Sequence, residues 1–220
     1  LIFYFKLFKN YNYCFLICWL FKMNNALYMD DCYLKEFEAT IEFVKDDKYI
    51  VLDKTAFYPL GGGVSYDTGA LIINNGEKSS EEFPVVYVGK FDNKISHETS
   101  KSGLKSGDKV IGKINWERRY KLMRLHTTAH LLASIFHKNG NVLITGNQIE
   151  PDKSRMDFSL ENFDRKIIEE YFKIANELVK KDAPVKISYM KREEALKIPD
   201  MVKLANKMPP DVEILRIVEI

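Results

Sequence analysis

Cysteine is scarce in this chain and badly placed for cross-linking. Cys14, Cys18 and Cys32 are the only three in 220 residues, and none follows Cys32. Three thiols crowded at one end make no disulfide framework, a usage that fits a reducing, cytoplasmic compartment. Long apolar runs are lacking too. The longest uncharged stretch of the opening segment, Asn10 to Phe21, falls short of the ~20 residues that a membrane-spanning helix needs. Neither Gly-x-x-x-x-Gly-Lys-Ser/Thr nor Gly-x-Gly-x-x-Gly occurs, which removes P-loop and dinucleotide-binding readings. A net charge of one sign is almost absent. Residues 1–22 hold Lys6, Lys9 and Lys22 and no acid, which leaves 30 basic against 31 acidic residues, a balance of −1, in the rest of the chain. Any nucleic-acid contact must come from a local patch, because no global field would steer it.

The composition that remains is globular, with 46% hydrophobic and 29% charged residues. Residues 1–22 stand apart from it, being rich in Phe, Tyr, Leu, Ile and Cys. No small-residue cleavage site precedes Met23, so a secretory signal fits poorly. The segment reads as an apolar leader outside the functional protein, upstream sequence read in frame, with a membrane-associating leader as the alternative. From residue 23 to 112 the pattern is that of strands. Alternating Glu36-Phe37-Glu38-Ala39-Thr40-Ile41 and the run Tyr49–Leu52 flank the acidic turn Asp46-Asp47, a hairpin signature. Strand-like pieces follow at 70–73, 83–88 and 109–114, which predicts a small antiparallel barrel or sandwich. Residues 113–220 alternate helices and strands. The segment 116–138 predicts a long helix ended by Asn139-Gly140, and 162–181 a second one with Asp164 as its cap. Strands are expected at 142–149, 155–160, 184–189 and 212–220. The fold class is therefore α+β.

Three segments carry chemistry. In Arg124-Leu125-His126-Thr127-Thr128-Ala129-His130-Leu131-Leu132, two histidines four apart share one helix face, so both imidazoles can reach one point. That offers half of a four-coordinate zinc shell, although the same spacing also occurs on solvated helix faces. Thr127 follows the first His where a zinc protease places Glu, so peptide hydrolysis of that type is not expected. His137 lies on the same face but ~10 Å along the axis, too far for the same ion. It reads as a helix-end residue, and His97 as a surface-loop residue. Cys32 could reach the pair only if the first half folded back onto it. The second segment, Thr55-Ala56-Phe57-Tyr58-Pro59-Leu60-Gly61-Gly62-Gly63 with Asp67-Thr68-Gly69, lets backbone N–H groups approach a ligand, or is simply a flexible hairpin loop. The faces of Phe57 and Tyr58 could stack on nucleotide bases. The third, Thr145-Gly146-Asn147-Gln148-Ile149 and Arg155-Met156-Asp157-Phe158, reads by itself as a solvated strand face.

Taken in order, these three motifs resemble the alanyl-tRNA editing family, the free-standing AlaX proteins and the matching domain of alanyl-tRNA synthetase, over about residues 27–220. The resemblance implies a small β-barrel domain followed by an α+β editing domain of the threonyl/alanyl-tRNA synthetase type. It implies hydrolysis of mischarged aminoacyl-tRNA, mainly seryl-tRNA for alanine, with tRNA as the partner and no protein partner or membrane span. His126 and His130 would be zinc ligands. Thr55, Phe57, Tyr58, Gly61, Gly62, Gly63, Gln148 and Arg155 would border the aminoacylated acceptor end. No residue is singled out as catalytic: zinc-bound water could attack, or zinc could orient the substrate for a free water. Two departures weigh against full activity. Val64 stands where the family usually has Gln. The Cys-x-x-x-His that completes the family's metal site after a strand like 214–220 is not in this sequence, so zinc is conditional. The alternative is a tRNA acceptor-end binding module, or a fragment, that lacks half of its metal site.

Overall fold

The computed structural model describes residues 3–7, 14–18, 25–74, 80–160, 162, 164–197 and 213–219. The chain divides into two compact units. One comprises residues 22–123 and 149–153, the other residues 1–21, 124–148 and 154–220. The boundary expected before residue 113 falls inside the last barrel strand, which runs to Ile114. The units themselves part later, inside a helix.

The first unit is a closed antiparallel barrel. Its strands are numbered after two short ones near the N-terminus, β1 (Phe3–Leu7) and β2 (Cys14–Cys18). They are β3 (Glu36–Lys45), β4 (Tyr49–Leu52), β5 (Gly69–Asn74), β6 (Ser80–Phe91), β7 (Lys94–Thr99) and β8 (Lys109–Ile114), in the order β3-β4-β7-β6-β5-β8. Between the barrel and sandwich readings, the barrel holds. Phe37, Ala39 and Ile41 point inward while Glu36, Glu38 and Glu42 face water, the period-2 pattern of a half-buried strand. A bulge between Ile41 and Phe43 inserts one residue against β4 and turns Phe43 outward, 53% exposed. Asp46 and Asp47, with φ of 52° and 54°, make the left-handed turn of the first hairpin. Asp92 and Asn93, at 47° and 61°, do the same between β6 and β7.

β7 is a strand that the sequence pattern did not reveal. Closure of the barrel at β8 depends on two glycines. A Cβ on Gly112 would lie 2.4 Å from the Phe37 ring, and one on Gly69 would lie 2.1 Å from the Lys113 carbonyl oxygen. Helix α1 (Trp116–Gly140) follows β8 directly, and Asn115 caps it through Oδ1, which accepts from Arg118 N at 3.1 Å.

The second unit holds the rest of α1, the arms of a hairpin of β9 (Ile144–Ile149) and β10 (Ser154–Phe158) whose turn from Ile149 belongs to the barrel unit, α2 (Arg165–Lys180), β11 (Lys186–Lys191), α3 (Arg192–Leu196) and β12 (Ile214–Glu219). Asp164 caps α2 as expected, accepting from Lys166 N. Leu131, Leu132, Ile135 and Phe136 of α1 pack with Val142 and with Tyr171 and Ala175 of α2. Phe136 stacks on Phe158 at 4.2 Å and meets Tyr171 edge-on. Residues 129–136 are buried without interruption, so this stretch has no solvated face to show in its sequence. The four-stranded sheet of the unit runs β1-β2-β12-β11. The opening segment, read from sequence as an apolar leader, thus contributes two backbone strands to it, β2 pairing with β12 at Ile17↔Ile217. Among the described residues, no helix is long and apolar enough to cross a membrane.

Candidate functional site

The His126–His130 pair forms as the helical spacing predicts. Their Nε2 atoms lie 3.0 Å apart and the rings tilt at 50° with centroids 4.6 Å apart. His126 is half-buried and His130 is 4% exposed. Burial, and then the neighbouring His126, push the His130 imidazole well below its usual pKa of 6.5, so it is neutral and keeps a lone pair at neutral pH. Two neutral rings this close can share one N–H between their Nε2 atoms or turn both lone pairs on a common cation. Two imidazoles on one tetrahedral zinc at ~2.0–2.1 Å would hold their nitrogens ~3.3 Å apart, close to what is seen. The pair therefore fits two corners of a zinc site. Among the described residues, no group of three or more His, Cys, Asp or Glu is arranged to hold an ion.

In the barrel unit, the segment Thr55–Gly69 is a built loop rather than a flexible one. Gly62 and Gly63 take φ of 62° and 77°, closing a tight hairpin in which Gly61 and Val64 exchange backbone hydrogen bonds. Ile149 N donates to the Gly63 carbonyl at 2.6 Å and Ser65 N to the Ile149 carbonyl at 3.0 Å, making a parallel bridge. Val64, the departure noted in the sequence, is 4% exposed and belongs to the core of this unit. Gly63 is exposed, while Gly61 and Gly62 are half-buried.

The anchor of the loop is a residue pair that sequence reasoning missed. Asp67 is 1% exposed and accepts from Arg119 Nε at 2.9 Å through both oxygens and again from Nη2. Its Oδ2 also takes the Tyr58 N–H at 2.6 Å. Arg119, 4% exposed, further donates to the carbonyls of Cys32 and Ala56. Cys32 thus stands beside the loop, and its carbonyl rather than its thiol is what Arg119 uses. The Asp-Thr-Gly after the glycines accordingly supplies a strut at Asp67 and a tight backbone approach at Gly69.

Two expected contact residues lie elsewhere than anticipated. Phe57 offers no face to a base, because it is fully buried, edge-on to Phe37 and His97 at 5.8 and 5.4 Å. Thr55 is 1% exposed and hydrogen-bonds His97. His97 itself is no surface residue. It lies on β7, wholly buried, with Nδ1 2.9 Å from the Ile50 carbonyl and Nε2 2.8 Å from Thr55 Oγ1. A carbonyl only accepts, so Nδ1 carries the proton and Nε2 accepts from the Thr55 hydroxyl, which in turn accepts from Phe57 N. Burial holds this imidazole neutral, with its pKa lowered to about 4. The only sequence signal for this arrangement was Asp92-Asn93, a two-residue hairpin turn that makes 94–99 a strand.

Tyr58 is half-buried, its hydroxyl donating to the Gly61 carbonyl at 3.3 Å and its ring edge-on to Tyr28. In the other unit, Gln148 is exposed at the end of β9, and Arg155 on β10 is exposed and paired with Asp157 at 3.2 Å. Gly146 makes room for that carboxylate, since a Cβ there would lie 2.7 Å from Asp157 Oδ2. His137 sits in the last turn of α1, as its position suggested.

Comparison with known proteins places this geometry. The chain is 49% identical over 203 residues to the alanyl-tRNA editing protein AlaX-M of Methanosarcina barkeri, covering 90% of this chain and 82% of that protein. It is 46% identical to the AlaX-M of Saccharolobus solfataricus at the same coverage. The chain belongs to the alanyl-tRNA editing protein family. The family described as tRNA synthetases class II (A) matches residues 19–118, which takes in the barrel and stops at the start of α1. The alanine–tRNA ligase of Saccharolobus islandicus is 40% identical over 177 residues, which are only 19% of that protein. The family is thus shared between free-standing proteins and a segment of a much larger one, and the present chain matches the free-standing kind along most of its length.

Proposed function

We propose that this protein hydrolyses the ester of mischarged aminoacyl-tRNA, chiefly seryl-tRNA for alanine, acting in the cytoplasm and in trans on tRNA released from a synthetase. The observation that carries the reading is the convergence of His126 and His130 Nε2 to 3.0 Å in a chain with close relatives named as alanyl-tRNA editing proteins. His126 and His130 would hold the zinc ion, and zinc would supply Lewis-acid activation of water or orientation of the ester. The chain's own contribution is to keep His130 neutral by burial and to hold Tyr58 and the Gly61–Val64 turn in one conformation through Asp67 and Arg119. Gln148 and Arg155, both exposed on the β9–β10 hairpin, would offer polar side chains to an acceptor end.

A second reading is supported by Val64, which is buried and apolar, and by the absence of a third donor beside the histidines among the described residues. On that reading the protein binds the acceptor end without turnover. Deacylation of seryl-tRNA, measured with and without added zinc, separates the two. Zinc-stimulated turnover that disappears in His126→Ala supports the hydrolase. Tight tRNA binding with no turnover at any zinc concentration refutes it in favour of the binding module.

A further inference from the structure

At the start of α1, within the barrel unit, three aromatic rings form an open array. Trp116 and Tyr120, one helical turn apart, stack at 5.7 Å with planes 23° from parallel. Tyr33, from the segment leading into β3, joins the array with its ring centroid 5.8 Å from Trp116 and tilted at 44°. Tyr33 is 60% exposed and Tyr120 43% exposed, while Trp116 between them is half-buried. Lys35 holds its ammonium 4.9 Å from the Trp116 ring centroid. Large aromatic rings left this open usually mark a binding surface rather than a core.

The charges around the array narrow the partner. Lys113 pairs with Glu36 at 3.6 Å and Lys121 with Asp152 at 3.5 Å. Arg118 is turned away, its guanidinium donating to the Tyr66 carbonyl and Ser65 Oγ. Glu117 is exposed on the same turn. Lys35 is thus a cation seated on the array itself and not in one of these ion pairs. A π-face bordered by a cation suits a nucleobase with its phosphate. The spacing also fixes the mode. Ring centroids under 6 Å apart leave no slot for a base, since intercalation needs about 7 Å, twice the ~3.4 Å base rise. Stacking must occur on the outer rings, Tyr33 and Tyr120.

We propose that Tyr33, Trp116 and Tyr120, with Lys35, form a stacking platform for unpaired nucleotides of the tRNA substrate. This rests on the functional reading above and adds to it a second tRNA contact, on the same helix that carries the histidine pair. The platform contributes to tRNA affinity and takes no part in bond cleavage.

The test is tRNA binding by the full chain, wild type against Tyr33→Ala/Tyr120→Ala and against Tyr33→Leu/Tyr120→Leu, which keeps apolar bulk without the rings. Base–aromatic stacking predicts a loss of roughly fivefold or more in affinity per ring, alike in both double variants, with an unchanged melting temperature. In deacylation, KM rises by the same factor while kcat holds. Lys35→Ala should weaken binding and reduce the slope of log affinity against log salt by ~1. Double variants that bind tRNA as tightly as wild type overturn the platform alone. A wild-type chain that binds no tRNA overturns the functional reading and the platform together.

Discussion

Removing either member of the Asp67–Arg119 pair should destabilise the barrel unit at least as much as removing both. The reason lies in burial. The two side chains are 1% and 5% exposed, so neither charge can turn to water when its partner goes. In Asp67→Ala the guanidinium keeps only the Cys32 and Ala56 carbonyls, neutral acceptors for a full positive charge. Breaking a buried pair from one side typically costs 3–5 kcal/mol, so about 4 kcal/mol is expected. The Tyr58 N–H loses its carboxylate acceptor as well, adding about 1 kcal/mol. Arg119→Met leaves the carboxylate with Tyr58 N alone and should cost a similar amount. In Asp67→Ala/Arg119→Met no buried charge remains. The residual loss is then the Tyr58 N–H and two carbonyl hydrogen bonds, about 3 kcal/mol.

The double variant should therefore be no less stable than either single variant, a coupling of several kcal/mol across the cycle. Urea unfolding followed by Trp116 fluorescence in a Trp19→Phe background reads the barrel unit, since Trp116 lies within it and Trp19 does not. Additivity of the two single losses to within ~0.5 kcal/mol would refute the argument. So would single losses below ~1 kcal/mol, which is what an exposed pair is worth.

Three further outcomes follow from particular geometries. His97 has a pKa of about 4 in the folded protein against an ordinary 6.5, so between these values the unfolded chain binds a proton that the folded chain does not. Stability should be full above pH ~6.5 and fall by up to about 3 kcal/mol as pH approaches 4; a His97→Leu variant whose urea midpoint falls with acid as steeply as wild type would exclude this cause. Gly69→Ala should cost at least about 2 kcal/mol, because the new methyl meets the Lys113 backbone rather than a movable side chain, and an unchanged melting temperature would contradict it. His130→Ala should abolish zinc-stimulated deacylation as completely as His126→Ala, and equilibrium dialysis should show the stimulated zinc lost from both variants; retention of zinc by either one would remove that ring from the proposed site.

Most of the barrel was legible because its inward positions are apolar. Phe37, Ala39 and Ile41 alternate with glutamates, and that alternation needs no knowledge of the partner strand. β7 was not legible because its inward positions are filled differently. Ser96, His97 and Thr99 are buried polar residues, leaving Ile95 as the strand's one buried aliphatic side chain. A strand that satisfies its buried groups by hydrogen bonds gives no hydrophobic period to read. His97 reads from sequence as a surface-loop residue for that reason. The α1 helix was legible from its apolar positions and from the Asn139-Gly140 pair near its end, whereas its cap at Asn115, its left-handed exit at Asn141 and the burial of residues 129–136 on every side appear only in the structure.

The candidate site divides in the same way. His126 and His130 are neighbours through helix geometry, a local relation that four residues of sequence specify completely. The glycine loop is held by relations that are not local. Arg119 reaches Asp67 across 52 residues, and Thr55 meets His97 across 42. No spacing rule connects such pairs, so the loop's aromatic and hydroxyl residues looked available for a ligand when most of them face inward.

The consequence for function is a change in what the glycine motif is for. Its side chains Thr55, Phe57, Val64 and Asp67 build the barrel wall, while the backbone around Gly61–Gly63 and the Tyr58 and Leu60 side chains stay open to solvent. A motif recognised by such residues reports the fold of the loop more directly than it reports chemistry. On the proposed function, chemical specificity would then rest on groups outside it: the histidine pair, the polar ends of β9 and β10, and the aromatic array at the start of α1. Substitutions in the motif's buried residues should lower stability and activity together, whereas substitutions at Gln148, Arg155, Tyr33 and Tyr120 should change activity or affinity at constant stability. That separation, measured across the two sets, decides whether the loop is a wall or a ligand-binding surface.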